Sequence, residues 1–168
     1  MRIKLRELRD GRHTLAVNEP AKPHELPGCG PLAGELQLEK LGPVLIITGG
    51  ITFTARQQCS RCLKEFGRDY SQEIELCYSP RQDARDSDDH ETELSSDDLV
   101  TIEYRGNEID LWPELREAAL LAIPLKPLCR EDCQGICPIC GKDRNAAACG
   151  CREGHDDHRW DKLRALKQ

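Results

Sequence analysis

The chain has 168 residues, ten of them cysteine, with 38% hydrophobic residues, only 4% aromatic residues and a formal net charge of −6. This length suits one domain, or one domain with an appended module, and allows a real core. No apolar run of about 18 residues occurs, and the opening MRIKLRELRDGR lacks an apolar signal segment; both features argue against a membrane protein and point to the cytoplasm.

In chain order, Ile3, Leu5, Leu8, Leu15 and Val17 suggest a short strand followed by a turn at Asp10-Gly11. The stretch NEPAKPHELPGCGP is too rich in proline and glycine for regular structure. Next, Leu36 and Leu38 alternate with polar neighbours, as do Ile51, Phe53 and Ala55, whereas VLIIT reads as a more fully buried strand. Gly49 and Gly50 permit a turn or bulge between these strands. Beyond CSRCLKEF, Tyr70, Ile74, Leu76 and Tyr78 share one phase of a further strand, and such alternation implies a one-sided antiparallel sheet.

Residues 81–98 carry eight acidic and two basic side chains, leaving the rest of the chain at 22 basic against 22 acidic. The segment repels itself and has little to bury, so it reads as a solvated acidic loop; an acidic contact surface for a basic partner is the alternative. LVTIEYRG then offers another strand. In EIDLWPELREAALLAIP, Leu111, Leu115, Ala118 and Ala122 recur at helical spacing. Asp110 is placed to cap this helix, Pro113 is tolerated in its first turn, and Pro124 ends it near Ile123. The expected architecture is therefore α+β: a largely antiparallel sheet packed by a helix, with a C-terminal zinc knuckle. Residues 1–126 would form the α+β domain, and 127–168 a cysteine-rich zinc-binding extension with a terminal helix. No internal repeat is apparent.

In a reducing compartment, clustered cysteines favour metal binding or redox chemistry over disulfides. Cys137 and Cys140 in CPIC place two thiolates on one tight turn, and Gly141 relieves crowding where the chain folds back. Cys149 and Cys151 can fill the other corners of a tetrahedral zinc site. Cys59 and Cys62 in CSRC repeat the spacing far upstream, and Cys129 with Cys133 can complete a second site. Two zinc ions per chain follow from this partition, although a single site drawn from the C-terminal six cysteines is also compatible with the sequence. Iron–sulfur binding and dithiol redox chemistry are the other readings. Arg61, Lys64, Arg130 and Lys142 adjoin the candidate ligands; they are simply exposed neighbours, offset thiolate charge or contact RNA phosphate. Cys29 and Cys77 fall outside the paired pattern, and His155 and His158 read as surface residues.

The residues CSRCL, the helix approach IDLWPELREAALLAIPLKPLC, and the tail CQGICPICGKDRNAAACGC ending near DHRWDKLRAL together resemble the bacterial YceD family, named for large ribosomal RNA subunit accumulation. The resemblance runs from about residue 35 to the end of the sequence. It implies a noncatalytic, cytoplasmic role in ribosome biogenesis, with a large-subunit ribosomal RNA precursor or a ribosomal assembly protein as partner. Only part of the family carries the full cysteine tail. Here GKDRN departs from the more usual LN turn by placing Arg144 before Asn145. Composition alone does not suggest RNA, because the chain is acidic and lacks an aromatic stacking platform. No nucleophile–base constellation or phosphate-binding glycine motif appears, which argues against an enzyme. A cytoplasmic protein-interaction module unrelated to ribosomes is the competing expectation.

Overall fold

The structure, a computed structural model, describes residues 1–22, 24–81 and 101–151. Four strands, β2 (Gly11–Glu19), β3 (Leu32–Leu41), β4 (Val44–Gln58) and β5 (Glu65–Pro80), form a consecutive antiparallel meander. A short β6 (Thr101–Tyr104) joins its edge in parallel with β5. Before the meander, β1 (Arg2–Lys4) pairs antiparallel with the late β7 (Glu108–Asp110) as a separate ribbon. The single helix among the described residues, α1 (Trp112–Ala122), follows β7 and lies against β4 and β5. The fold is thus mostly sheet, antiparallel-rich, with one short helix covering it.

Side-chain alternation determines which face the helix covers. Leu45, Ile47, Ile51, Phe53 and Ala55 of β4 are buried on one phase, joined by Leu32, Leu36 and Leu38 of β3 and by Ile74 and Tyr78 of β5. Against them α1 buries Trp112, Leu115 and Ala119. Fully burying an aliphatic side chain such as Leu115 contributes about 2 kcal/mol, so this stripe rather than helix propensity holds an 11-residue helix in place. Asp110 acts one position earlier than a cap: Leu111 is the N-cap residue, and the Asp110 carboxylate accepts the Trp112 N–H at 3.2 Å. Ile123, in extended conformation before Pro124, ends the helix. The Trp112 indole N–H donates to Glu25, and Lys22 lies 4.8 Å from the ring centroid. These contacts anchor the proline-rich connection between β2 and β3.

Gly49 and Gly50 do not separate two strands. Both lie inside β4, whose pairing with β3 runs unbroken from Ala33↔Thr52 to Leu41↔Val44; the turn falls instead at Gly42 and Pro43. The glycines serve a close approach between strands. A Cβ on Gly34 would strike the Gly50 carbonyl oxygen, and one on Gly49, which has φ +143°, would strike that of Glu35. VLIIT likewise alternates between buried and partly exposed positions rather than being buried throughout.

The acidic stretch 82–98 and the C-terminal tail with His155 and His158 lie outside the described residues. No helix among the described residues is long and apolar enough to cross a membrane.

Candidate metal centre

The β4–β5 hairpin keeps its pairing to Gln58↔Glu65, so residues 59–64 form its tip. There the Cys59 N–H donates to the Lys64 carbonyl at 2.9 Å and the Leu63 N–H to the Cys59 carbonyl at 3.0 Å, curling CSRC into a knuckle. After α1 the chain returns to this tip. The Ser60 N–H donates to the Pro127 carbonyl at 2.8 Å, and the Arg68 guanidinium to the Leu128 carbonyl at 3.1 Å. Cys129 and Cys133 are thereby brought onto Cys59 and Cys62, in a small cluster with Phe66 and Leu128 that is separate from the main core.

The second group consists of Cys137, Cys140, Cys149 and Cys151. Its knuckle repeats the first bond for bond: the Cys137 N–H donates to the Lys142 carbonyl at 2.8 Å and the Gly141 N–H to the Cys137 carbonyl at 2.9 Å. The residue after the second cysteine is left-handed in both, with φ +70° at Gly141 and +62° at Leu63. Cys137 is buried, Cys149 and Cys151 are half-buried, and Cys140 is exposed.

In each group the four Sγ atoms lie within 4.8 Å of one another. Thiolates about 2.3 Å from one tetrahedral ion stand about 3.8 Å apart. The Cys59–Cys133 and Cys62–Cys129 sulfur separations are 3.8 and 3.7 Å, and all ten cysteines are free thiols. The donor set and its spacing therefore suit one tetrahedral, thiophilic ion per group and are consistent with zinc.

Electrostatics point the same way. Burial opposes ionisation of Cys59, but N–H groups of Cys129, Cys62 and Arg61 outweigh it and draw the thiol down to about 6. The N–H groups of Cys140 and Ile139 bring Cys137 down to about 6 against burial. Conversely, burial and the adjoining thiols push Cys129 up to about 12, and Cys140, burial and Cys137 do the same for Cys151. In each group one thiol is drawn down and at least one is pushed up, so cation binding there would release protons.

The basic neighbours form specific contacts. Arg61 donates through Nη1 to the Cys133 carbonyl at 2.8 Å, Arg130 ion-pairs with Asp132 at 3.3 Å, and Lys64 ion-pairs with Asp143 at 2.5 Å. Lys142 contributes its backbone carbonyl to the second knuckle. The Asp143 carboxyl is held down to about 2 by Lys64 and by the backbone and side-chain N–H groups of Asn145. Asn145 is the residue that motif reading missed. Its Nδ2 donates to the Cys133 Sγ at 3.5 Å and to Asp143 at 2.7 Å, while its Oδ1 accepts from Arg130 at 2.8 Å and from the Gln134 N–H at 2.7 Å. The Asp-x-Asn spacing, typical of side chains that bond neighbouring backbone, is the signal that marks it. Cys29, which bridges to Ala55, and Cys77, inside β5, belong to neither group.

Residues 47–167 match the family model described as large ribosomal RNA subunit accumulation protein YceD. The chain is 32% identical over 130 residues to the uncharacterized protein Rv2926c of Mycobacterium tuberculosis, covering 77% of this chain and 58% of that protein. The uncharacterized protein Mb2951c of Mycobacterium bovis gives the same values, and ML1660 of Mycobacterium leprae is 22% identical over 111 residues, covering 66% of this chain and 48% of that protein. The chain thus spans between about half and three fifths of the length of these relatives. No solved structure matches significantly. The family model covers both knuckles, the helix between them and most of β4, and on that match the chain belongs to the YceD family of large ribosomal RNA subunit accumulation proteins.

Proposed function

We propose that this protein is a noncatalytic, cytoplasmic factor that supports accumulation or processing of large-subunit ribosomal RNA during ribosome assembly, with one zinc ion in each cysteine group. The family match carries the ribosomal part. The zinc part rests on the two compact groups of four thiols. Four protein thiolates fill a tetrahedral ion's coordination shell, leaving no open position to activate water, so the metal's contribution is structural. The partner is a precursor of the large-subunit RNA or a ribosomal assembly protein. Affinity capture of the full chain from cells, with and without nuclease, tests this reading. Large-subunit RNA precursors or ribosomal assembly proteins should co-purify, and the absence of both would overturn it.

A zinc-stabilised module that binds a cytoplasmic protein unrelated to ribosomes is the second reading. It is favoured by two apolar side chains displayed on the knuckles, Leu63 at 52% and Ile139 at 50% exposure. Capture of a non-ribosomal protein that depends on Leu63 and Ile139, without ribosomal components, would select it.

A further inference from the structure

The two cysteine groups are joined by more than the chain between Cys133 and Cys137. The eight-residue loop that links the ligand pairs of the second group folds back onto the first, and Asn145 in that loop donates to the sulfur of Cys133, a member of the first group. Asn145 is itself oriented by Asp143, which accepts from both its backbone and side-chain N–H groups at 2.9 and 2.7 Å. Asp143 is held by Lys64, two residues after Cys62 in the first knuckle. The contacts thus run from the first knuckle into the loop of the second group and back to a sulfur of the first.

A second set of bonds runs alongside. The Ile136 N–H donates to the Arg61 carbonyl at 3.1 Å, and the Arg144 N–H donates to the Gly135 carbonyl at 2.9 Å. Gly135, with φ +71°, lies so close to Arg61 that a Cβ would stand 2.9 Å from its carbonyl oxygen. The linker between the groups is therefore clamped by the first knuckle on one side and by the loop of the second group on the other.

On the reading that each group holds a metal ion, we infer that the two ions bind with positive coupling, transmitted through Asn145 between the loop of the second group and the Cys133 sulfur. Filling the first group would fix the Cys133 sulfur in place as the acceptor for Asn145, which orders the loop spacing Cys140 from Cys149. Filling the second group fixes that loop and aims Asn145 at Cys133. The coupling is reciprocal, because linkage gives each ion the same effect on the other. Couplings of this kind are commonly worth about five- to 150-fold in affinity, and groups that orient metal ligands about 10- to 100-fold. Asn145 is a positioning residue here and is not a ligand.

The test starts from the zinc-loaded full chain, reduced and anaerobic, with zinc withdrawn by graded EDTA and the species counted by native mass spectrometry. For two independent sites the one-zinc form makes up at least half of the chains when half the metal is gone. The wild type should show less than half, with two-zinc and zinc-free chains dominating. Asn145→Ala should raise the one-zinc form from about a third or less, the share expected for fivefold coupling between equal sites, to half or above. Lys64→Met, at an exposed position, should shift the distribution in the same direction and serves if Asn145→Ala does not fold. Variants that leave the distribution unchanged would overturn the coupling while leaving two-zinc binding intact. A wild type that never carries two zinc ions would sink the two-ion reading and the coupling together.

Discussion

Leu63 occupies in the first knuckle the left-handed position that Gly141 occupies in the second, with matching hydrogen bonds on either side. A leucine there bears a steric cost of about 1–2 kcal/mol that glycine does not. Its side chain is half-exposed, so little burial offsets that cost. Leu63→Gly should therefore leave the metal-loaded protein as stable or more stable, by up to about 1 kcal/mol after allowing for the freer unfolded chain. Gly141→Leu should destabilise by about 1–2 kcal/mol. Thermal denaturation of the two variants checks both signs.

Metal content should follow the grouping of the cysteines. Replacing Cys137 and Cys140 together by serine should remove one of two zinc ions and leave the main sheet folded, because Leu36, Ile47 and Leu115 pack in a core separate from either group. Cys29→Ser, at the bridge to Ala55, should leave both ions. Elemental analysis of the purified variants measures the change, and two retained zinc ions in the double variant would refute the assignment.

The close approach between β3 and β4 makes a sharp prediction about glycine. Gly34→Ala or Gly49→Ala forces a methyl group into a backbone carbonyl and should cost about 2–3 kcal/mol. Gly67→Ala, where an added Cβ meets nothing within 4 Å, should change stability by less than about 0.5 kcal/mol. Chemical denaturation of the three variants provides the comparison.

The Glu25 carboxyl is shifted below its ordinary value of 4.5, first because the Trp112 indole N–H donates to it, with Lys22 adding to the effect. A carboxyl lowered in the folded state contributes stability above its ordinary range and loses that contribution as pH falls through the lowered value. The Trp112 indole N–H resonance should therefore titrate below pH 4.5 in the wild type and lose that step in Glu25→Gln. A midpoint at or above 4.5 would contradict the contact.

Much of the sheet is legible because burial on one face writes itself as period-two alternation, as in Ile51, Phe53 and Ala55, and because Pro124 marks where α1 must stop. The glycine pair misleads: a glycine needed for clearance between paired strands looks the same in sequence as one needed for a turn, and only the register, which sets Gly34 against the Gly50 carbonyl and Gly49 against that of Glu35, distinguishes them. The parallel docking of β6 on β5 leaves no local trace, since register is fixed by partners distant in sequence. Both CxxC pairs stand out by spacing, whereas the meeting of Cys59 with Cys133 across 74 residues depends on the whole hairpin and helix. Asn145 is hidden for the same reason: its identity is local, but the sulfur it touches belongs to the other group.

The first cysteine group brings the tip of the β4–β5 hairpin against the chain beyond α1, so an ion shared by its four thiols would close one circuit around β5, β6, β7 and the helix. A single backbone cut between Arg81 and Thr101 would open that circuit without freeing either piece: sheet pairing and a shared ion would still hold the two fragments together. Such a nicked protein would behave as a two-part assembly whose cohesion a chelator weakens, making separation of the fragments a direct gauge of the metal's grip.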